Sequence, residues 1–303
     1  MATILLGTDD GIRVLGASGG AQLPGRLVAS VAQGPDGVWA LVGPDELWRA
    51  ADGDGWRHVA TAAGPQPACL DAGGGQVLVG TAEAHLERLD GGQFRRVGAF
   101  DAVEGRDAWY TPWGGPPAVR WIARAADGAL LVNVHVGGIL RSADEGATWT
   151  ATIDLHADVH QVTGDPGDPA RVLAATARGL ADSADAGRTW RFASAGMHAS
   201  YCRAVALAGD TVLVSCSTGP GARQAALYRR PLADPDAPFE RCREGLPAWF
   251  AGNLDSGCVA AAGPLVALGC GNGEAFRSED GGRTWQRVAD PGAPVRSVLV
   301  TPG

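Results

Sequence analysis

The 303-residue chain contains no lysine; all 25 of its basic residues are arginine. That absence excludes a Schiff-base lysine and a Walker-type phosphate lysine. Aromatic residues other than tryptophan are scarce, with three Tyr and six Phe against ten Trp. No long helical period appears, and no segment approaches the roughly 20 consecutive apolar residues of a membrane span, so membrane-spanning and helix-bundle classes are set aside. None of the six cysteines forms a CxxC pair, which argues for buried thiols in the core rather than a zinc or disulfide framework. The formal net charge of −8 argues against a nucleic-acid surface. The opening residues, Met1-Ala-Thr-Ile-Leu-Leu-Gly-Thr, enter a strand at once without the basic region and apolar run of a signal peptide, so a cytoplasmic chain is expected.

What is abundant is glycine, at 45 residues, between short runs of β-branched and apolar residues, the profile of many short strands joined by tight turns. One stretch recurs three times: RSADEGATWT from Arg141, DSADAGRTWR from Asp182 and RSEDGGRTWQ from Arg277. Its shared pattern is Ser-x-Asp-x-Gly-x-Thr-Trp. Ser and Asp side chains of such a stretch bond nearby backbone amides and fix a turn. Gly146, Gly187 and Gly282 supply the positive φ a turn of this kind needs. Thr and Trp then begin the returning strand. A tryptophan packed between neighbouring sheets buries about 200 Å², roughly 5 kcal/mol as an upper estimate. The aspartates are therefore read as turn residues, not catalysts.

The pattern resembles the Asp-box of BNR-repeat proteins, the motif shared by sialidases and other β-propellers of the WD40/YVTN/BNR-like group. The resemblance implies an all-β propeller of four-stranded antiparallel blades. Repeat spacing supports it: the first two boxes begin 41 residues apart and the last two 95 apart, close to two periods, as expected of repeat architectures. The blades fall at 3–24, 25–61 (with a decayed box at Asp52-Gly-Asp-Gly-Trp56), 66–98, 117–152, 156–193, 198–243 and 252–289. The tail Val295–Val300 is one lone strand, and the first blade lacks one. A single domain over 1–303 is expected, a seven-bladed ring closed by the C-terminal strand joining the N-terminal blade, monomeric because closure covers the sheet edges.

The boxes lie in the hairpins between third and fourth strands. Starts of first strands and ends of second strands then share the opposite face, around the mouth of the central channel. First strands begin there with Arg120, His160, Arg203, Asp255 and Arg296, and second strands end with His135 and Ser217; Asp158 and Tyr201 lie beside them. Two long loops share that face. Asp101–Pro117 carries Trp109, Tyr110 and Trp113, and Gly245–Gly257 carries Trp249. Loops of this length are functional more often than not. Three roles are drawn from these residues. Arg120 and Arg203 bind charge on a small polar or anionic ligand, unless they pair with Asp158, Asp255 or Asp107. His135 and His160, with Asp158 and Tyr201, supply acid–base chemistry of hydrolase or lyase type; with His198, the same histidines are the candidates for a divalent metal. Trp109, Trp113 and Trp249 stack on a ring, with Ser217 and Asp255 completing the pocket.

Two alternatives stay open. The same face suits a protein-interaction scaffold, as in the photosystem II assembly factors and sortilin-like receptors, which the repeats also resemble. The third reading is a glycoside hydrolase. The sialidase resemblance implies three arginines on a sugar carboxylate, a Tyr–Glu pair and an acidic Asp. The Phe/Tyr-Arg-Ile-Pro motif is absent, however, and no Glu is placed to pair with Tyr201. Asp158 and Asp255 are the only carboxylates suggested for other glycosidase chemistry, which needs two about 5–10 Å apart.

Overall fold

The computed structural model describes residues 2–16, 20–51, 55–221, 223–289 and 292–301. Asp52, Gly53 and Asp54 of the decayed box lie outside them. The fold is a seven-bladed β-propeller, built of seven four-stranded antiparallel sheets. The sheets fall at the boundaries the repeat spacing predicts. In most of them the second strand is almost wholly buried, as in Leu130–Val134 and Thr211–Ser217, while the fourth is short and open, as in Arg191–Ala193 and Thr150–Ala151. A strand covered on both faces has no use for alternation, which is why those runs read as continuous apolar sequence.

Contacts divide the chain into two compact units. The first comprises Met1–Val28, Ala175–Asp182 and Phe192–Gly303. Here Val295–Thr301 pairs antiparallel with Thr3–Thr8, so the C-terminal strand completes the N-terminal sheet. One of its cores gathers Leu213, Leu227, Phe250, Leu268, Phe276 and Trp285; a second gathers Ile4, Leu6, Val295, Val298 and Val300. The other unit comprises Ala29–Ala174 and Ser183–Arg191. Its cores centre on Trp39, Leu47 and Val79, and on Phe100, Val119, Leu130 and Leu140.

The three full boxes are folded alike. Ser142 Oγ donates to Asp144 Oδ1 at 2.8 Å and accepts from Gly146 N at 2.8 Å; Asp144 then accepts from Thr148 N at 2.8 Å and Thr148 Oγ1 at 2.6 Å. The same bonds recur at Ser183/Asp185/Thr189 and Ser278/Asp280/Thr284. Gly146, Gly187 and Gly282 have φ of 90°, 80° and 83°. Trp285 is 7% exposed and its indole N–H donates to Gly282 O, while Trp149 packs edge-on against Phe100.

These bonds act on acidity. The Thr148 hydroxyl and amide, then the Ser142 hydroxyl, hold Asp144 down at about 2; Thr189 does the same for Asp185, also at about 2. Burial pushes Asp280 up, but bonds from Thr284 and Ser278 outweigh it and leave the carboxyl well below the usual range. A carboxylate whose folded pKa is depressed stabilises the fold above its unfolded value and loses that contribution as pH falls toward the folded one. The boxes should therefore contribute a fall in melting temperature between about pH 4 and pH 2. The double variant Asp144→Asn, Asp185→Asn should melt lower at neutral pH and show a shallower acid slope, measured by circular dichroism across that range.

Candidate functional site

The second unit carries the densest grouping of predicted site residues, built on one turn and one loop. The turn is Val134-His135-Val136-Gly137-Gly138, at the end of strand Leu130–Val134. It is too tight for side chains at its tip: a Cβ on Gly137 would lie 2.5 Å from Val134 Cγ1 and 3.2 Å from Trp109 Cδ2. Val136 sits at φ 39°, an outlier for a buried β-branched residue. The loop lies on this turn. Its helical segment Gly98–Asp101 brings Asp101 to His85 Nδ1 at 2.7 Å, and Arg106 donates to Ala84 O at 2.7 Å. Beyond them, Tyr110 N donates to Val136 O, His135 N donates to Ala118 O, and Thr111 Oγ1 donates to Gly114 O and Gly115 O.

This arrangement separates the aromatics predicted to stack on a ligand. Trp109 is turned inward against Phe100, with the Arg106 guanidinium 4.8 Å from its ring. It packs the loop onto the His135 turn. Trp113, 67% exposed, lies over His135 with ring centroids 4.7 Å apart. Tyr110 is open too and reaches His156 Nδ1 at 3.4 Å. Of the loop aromatics, Trp113 and Tyr110 are the ones that face outward.

Below Trp113, two imidazoles converge on one carboxylate. His135 Nε2 lies 3.4 Å and His160 Nε2 3.6 Å from Asp158 Oδ1. Both histidines are buried, whereas the Asp158 side chain is 20% exposed. Asp158 ends the 3-10 turn Leu155–Ala157, which Asp154 caps by accepting from His156 N, and it takes φ 50° to do so. Asn133 Nδ2 donates to Val159 O at 3.0 Å, tying the second strand of one blade to the start of the next. The Oδ1 of the same side chain is buried with no hydrogen-bond partner. Thus His135, Asp158 and His160 are brought together as the sequence suggested. Tyr110, which the sequence puts on the loop, and His156 lie outside the predicted set of site residues. Their signal was the run Asp154-Leu-His-Ala-Asp-Val-His160, whose Asp cap and glycine-like bend set both histidines beside the loop.

The first unit holds all but Arg120 of the remaining predicted residues, in separate pairings. Arg203 Nη1 meets Asp255 Oδ1 at 2.6 Å, and its guanidinium lies 5.9 Å from the Tyr201 ring. Arg296 grips Asp9 through two bonds of 2.6 and 2.7 Å, which raises the guanidinium pKa and lowers that of Asp9. These arginines spend their charge on carboxylates of the chain. Ser217 ends strand Thr211–Ser217 and donates to Gly219 O. Trp249, 39% exposed, is covered by the Arg241 guanidinium at 3.8 Å. His198 lies 4.9 Å from that indole and meets the Tyr228 hydroxyl at 2.7 Å; burial, then the Arg241 charge, lowers its pKa. Arg120, in strand Val119–Arg124 of the second unit, is half-buried and engaged. Among the described residues no three of His, Cys, Asp and Glu are grouped to hold a metal ion, so the His135/His160/His198 set does not form a centre.

No protein-family model matches the chain, and no curated protein matches it significantly. Solved structures do match in fold. The chain is similar to a YCF48 bound to D1 peptide, with 14% identity, a TM-score of 0.61, and 99% of this chain and 95% of that one covered. It is similar to a chain of a nidogen/laminin complex at 9% identity and TM-score 0.56, covering 99% and 98%. It is also similar to the GH74 enzyme of Niastella koreensis at 17% identity and TM-score 0.58; 95% of this chain aligns with 43% of that enzyme. At these identities the likeness is one of fold: a propeller shared by proteins that bind polypeptides and by a glycoside hydrolase.

Proposed function

We propose that this chain is a BNR-type propeller that binds a small polar ligand at the His135–Asp158–His160 cluster, with Trp113 as the flat face against which the ligand rests. The observation that carries the reading is backbone strain beside convergent polar groups. Val136 at φ 39° and Asp158 at φ 50° flank the cluster, and such conformations persist where surrounding structure over-determines them, as at ligand sites. A part-exposed carboxylate between two buried imidazoles accepts hydrogen bonds from hydroxyl or amine donors. An anionic ligand is served less well, since Arg203 and Arg296 already hold Asp255 and Asp9. His135 and His160 are also the groups able to move a proton, so hydrolase or lyase chemistry belongs to this same cluster. Glycoside hydrolysis lacks its second carboxylate, because Asp255 is committed to Arg203.

A second reading has its own observation. Tyr110, Trp113 and Trp249 are the large apolar side chains left exposed among the described residues. Exposed aromatics anchor polypeptide partners, and a propeller with a bound peptide is among the fold neighbours.

A thermal-shift screen against neutral sugars, polyols, amines and small carboxylates separates the two. A ligand at 100 times its Kd adds about 2.7 kcal/mol of stability. Asp158→Asn keeps a residue that tolerates positive φ and should weaken binding about 10- to 100-fold by losing a charge-assisted acceptor. Trp113→Ala should weaken it further. Donor-rich ligands that give no shift, or that bind Asp158→Asn as tightly as the native chain, sink the pocket reading. Capture of a peptide that depends on Trp113 or Trp249 but not on Asp158 would put docking in its place.

A further inference from the structure

A second grouping of donor atoms lies in the first unit and plays no part in the cluster above. Strands Tyr201–Ala208 and Thr211–Ser217 pair so that Cys202 stands directly opposite Cys216. The Cys202 thiol is hydrogen-bonded to Cys216 and also approaches Met197 Sδ at 3.9 Å. The Cys216 thiol donates to Ala199 O at 2.9 Å. Both cysteines are buried, at 0% and 2% exposure, while Met197 is half-buried on the turn leading into the first strand. Met197 is the chain's only methionine besides Met1. Cys216 and Met197 therefore both bring a sulfur to Cys202, at the entrance of one strand.

We infer that Cys202, Cys216 and Met197 form a three-sulfur site for a soft monovalent metal ion, Cu(I) being the ion the donor set fits. Thiolate and thioether ligands select Cu(I) over harder ions. Sulfurs bound at about 2.3 Å in a trigonal plane stand about 4 Å apart, the separation already present between Cys202 and Met197. Binding releases both thiol protons to solvent and leaves one Cu⁺ with two thiolates, a net charge of −1. Nearby arginine charge eases it: Arg241 and Arg243 lie in the same electrostatic neighbourhood, acting with Cys216 on Tyr228.

The test is anaerobic titration of the reduced, full-length chain with Cu(I) against a chromophoric chelator, with X-ray absorption on the loaded protein. One equivalent is expected to bind in a shell of three sulfurs at about 2.3 Å. Cys202→Ser and Cys216→Ser should each weaken binding at least about 100-fold, and Met197→Leu about tenfold. The pair Cys258→Ser, Cys270→Ser and the variant His198→Ala should bind as the native chain does. The absorption spectrum needs no variant, so it decides the matter even if a serine substitution unfolds the protein. Failure to bind one equivalent, a shell with nitrogen or with only two sulfurs, or binding lost only with Cys258 and Cys270 would overturn the site. None of these outcomes bears on the His135–Asp158–His160 ligand.

Discussion

Deletion of Val295–Thr301 is expected to leave a chain that does not fold to a soluble state. That strand is the edge partner of Thr3–Thr8, with Ile4 opposite Val300, Leu5 opposite Leu299 and Leu6 opposite Val298. Val295, Val298 and Val300 are 3%, 6% and 6% exposed and share a core with Ile4, Leu6, Ala267 and Ala275. Burying a valine contributes about 1.5–3 kcal/mol, so the three together give about 5–9 kcal/mol. Native domains are stable by only about 5–15 kcal/mol in total. The deletion also removes the two-bond Arg296–Asp9 pair and opens a strand edge whose residues Ile4, Leu5 and Leu6 are all apolar and now unpaired, a template for aggregation. Far-UV circular dichroism and size-exclusion chromatography of the truncated chain check the outcome. A synthetic peptide spanning residues 292–303 added during refolding should restore the native spectrum, because the strand pairs through backbone bonds that need no covalent link. A truncated chain that melts at the native temperature would show that the closure contributes little.

The same strand illustrates what the sequence made legible and what it did not. The lone strand Val295–Val300 and the missing strand of the first blade could be matched by counting, because the repeat leaves one of each. The boxes likewise declared their turns, since Ser, Asp, Gly, Thr and Trp each have one job at a fixed offset. Pairings between distant charges were less readable. Arg203 with Asp255 could be anticipated from their shared face. Arg296 with Asp9 could not, for the two are 287 residues apart and a one-residue register shift would have separated them. The site shows the same limit. His135 and His160 stood out as polar breaks in apolar strands. Their convergence on Asp158 depends on a positive φ at a residue that is not glycine, and no composition announces that. The loop aromatics were equivalent on paper; the fold half-buries Trp109 as the wedge that seats the loop and leaves Trp113 outside. Cys202 and Cys216 meet only because the irregularity in register between Cys202 and Val205 places them opposite one another.

Asp182→Ala should be among the most destabilising single substitutions in the chain. Asp182 immediately precedes Ser183 of the second box. In the fold its side chain is 3% exposed and meets the fully buried Arg230 guanidinium at 2.6 Å. Arg230 is the largest fully buried side chain among the described residues; it also donates to Asp234 O and lies 5.1 Å from the Phe239 ring. Removing the carboxylate leaves a guanidinium charge in the interior without its counter-charge. Breaking a buried pair in this way costs about 3–5 kcal/mol, more than the pair itself is worth over an apolar replacement. The prediction therefore has two arms. Asp182→Ala lowers the urea midpoint with the slope unchanged, by an amount corresponding to about 3–5 kcal/mol. The double variant Asp182→Leu, Arg230→Met, which removes both charges and refills the volume, recovers most of that loss. If the double variant is as unstable as Asp182→Ala, packing of the arginine stem on Phe239 governs this position, and the ion pair does not.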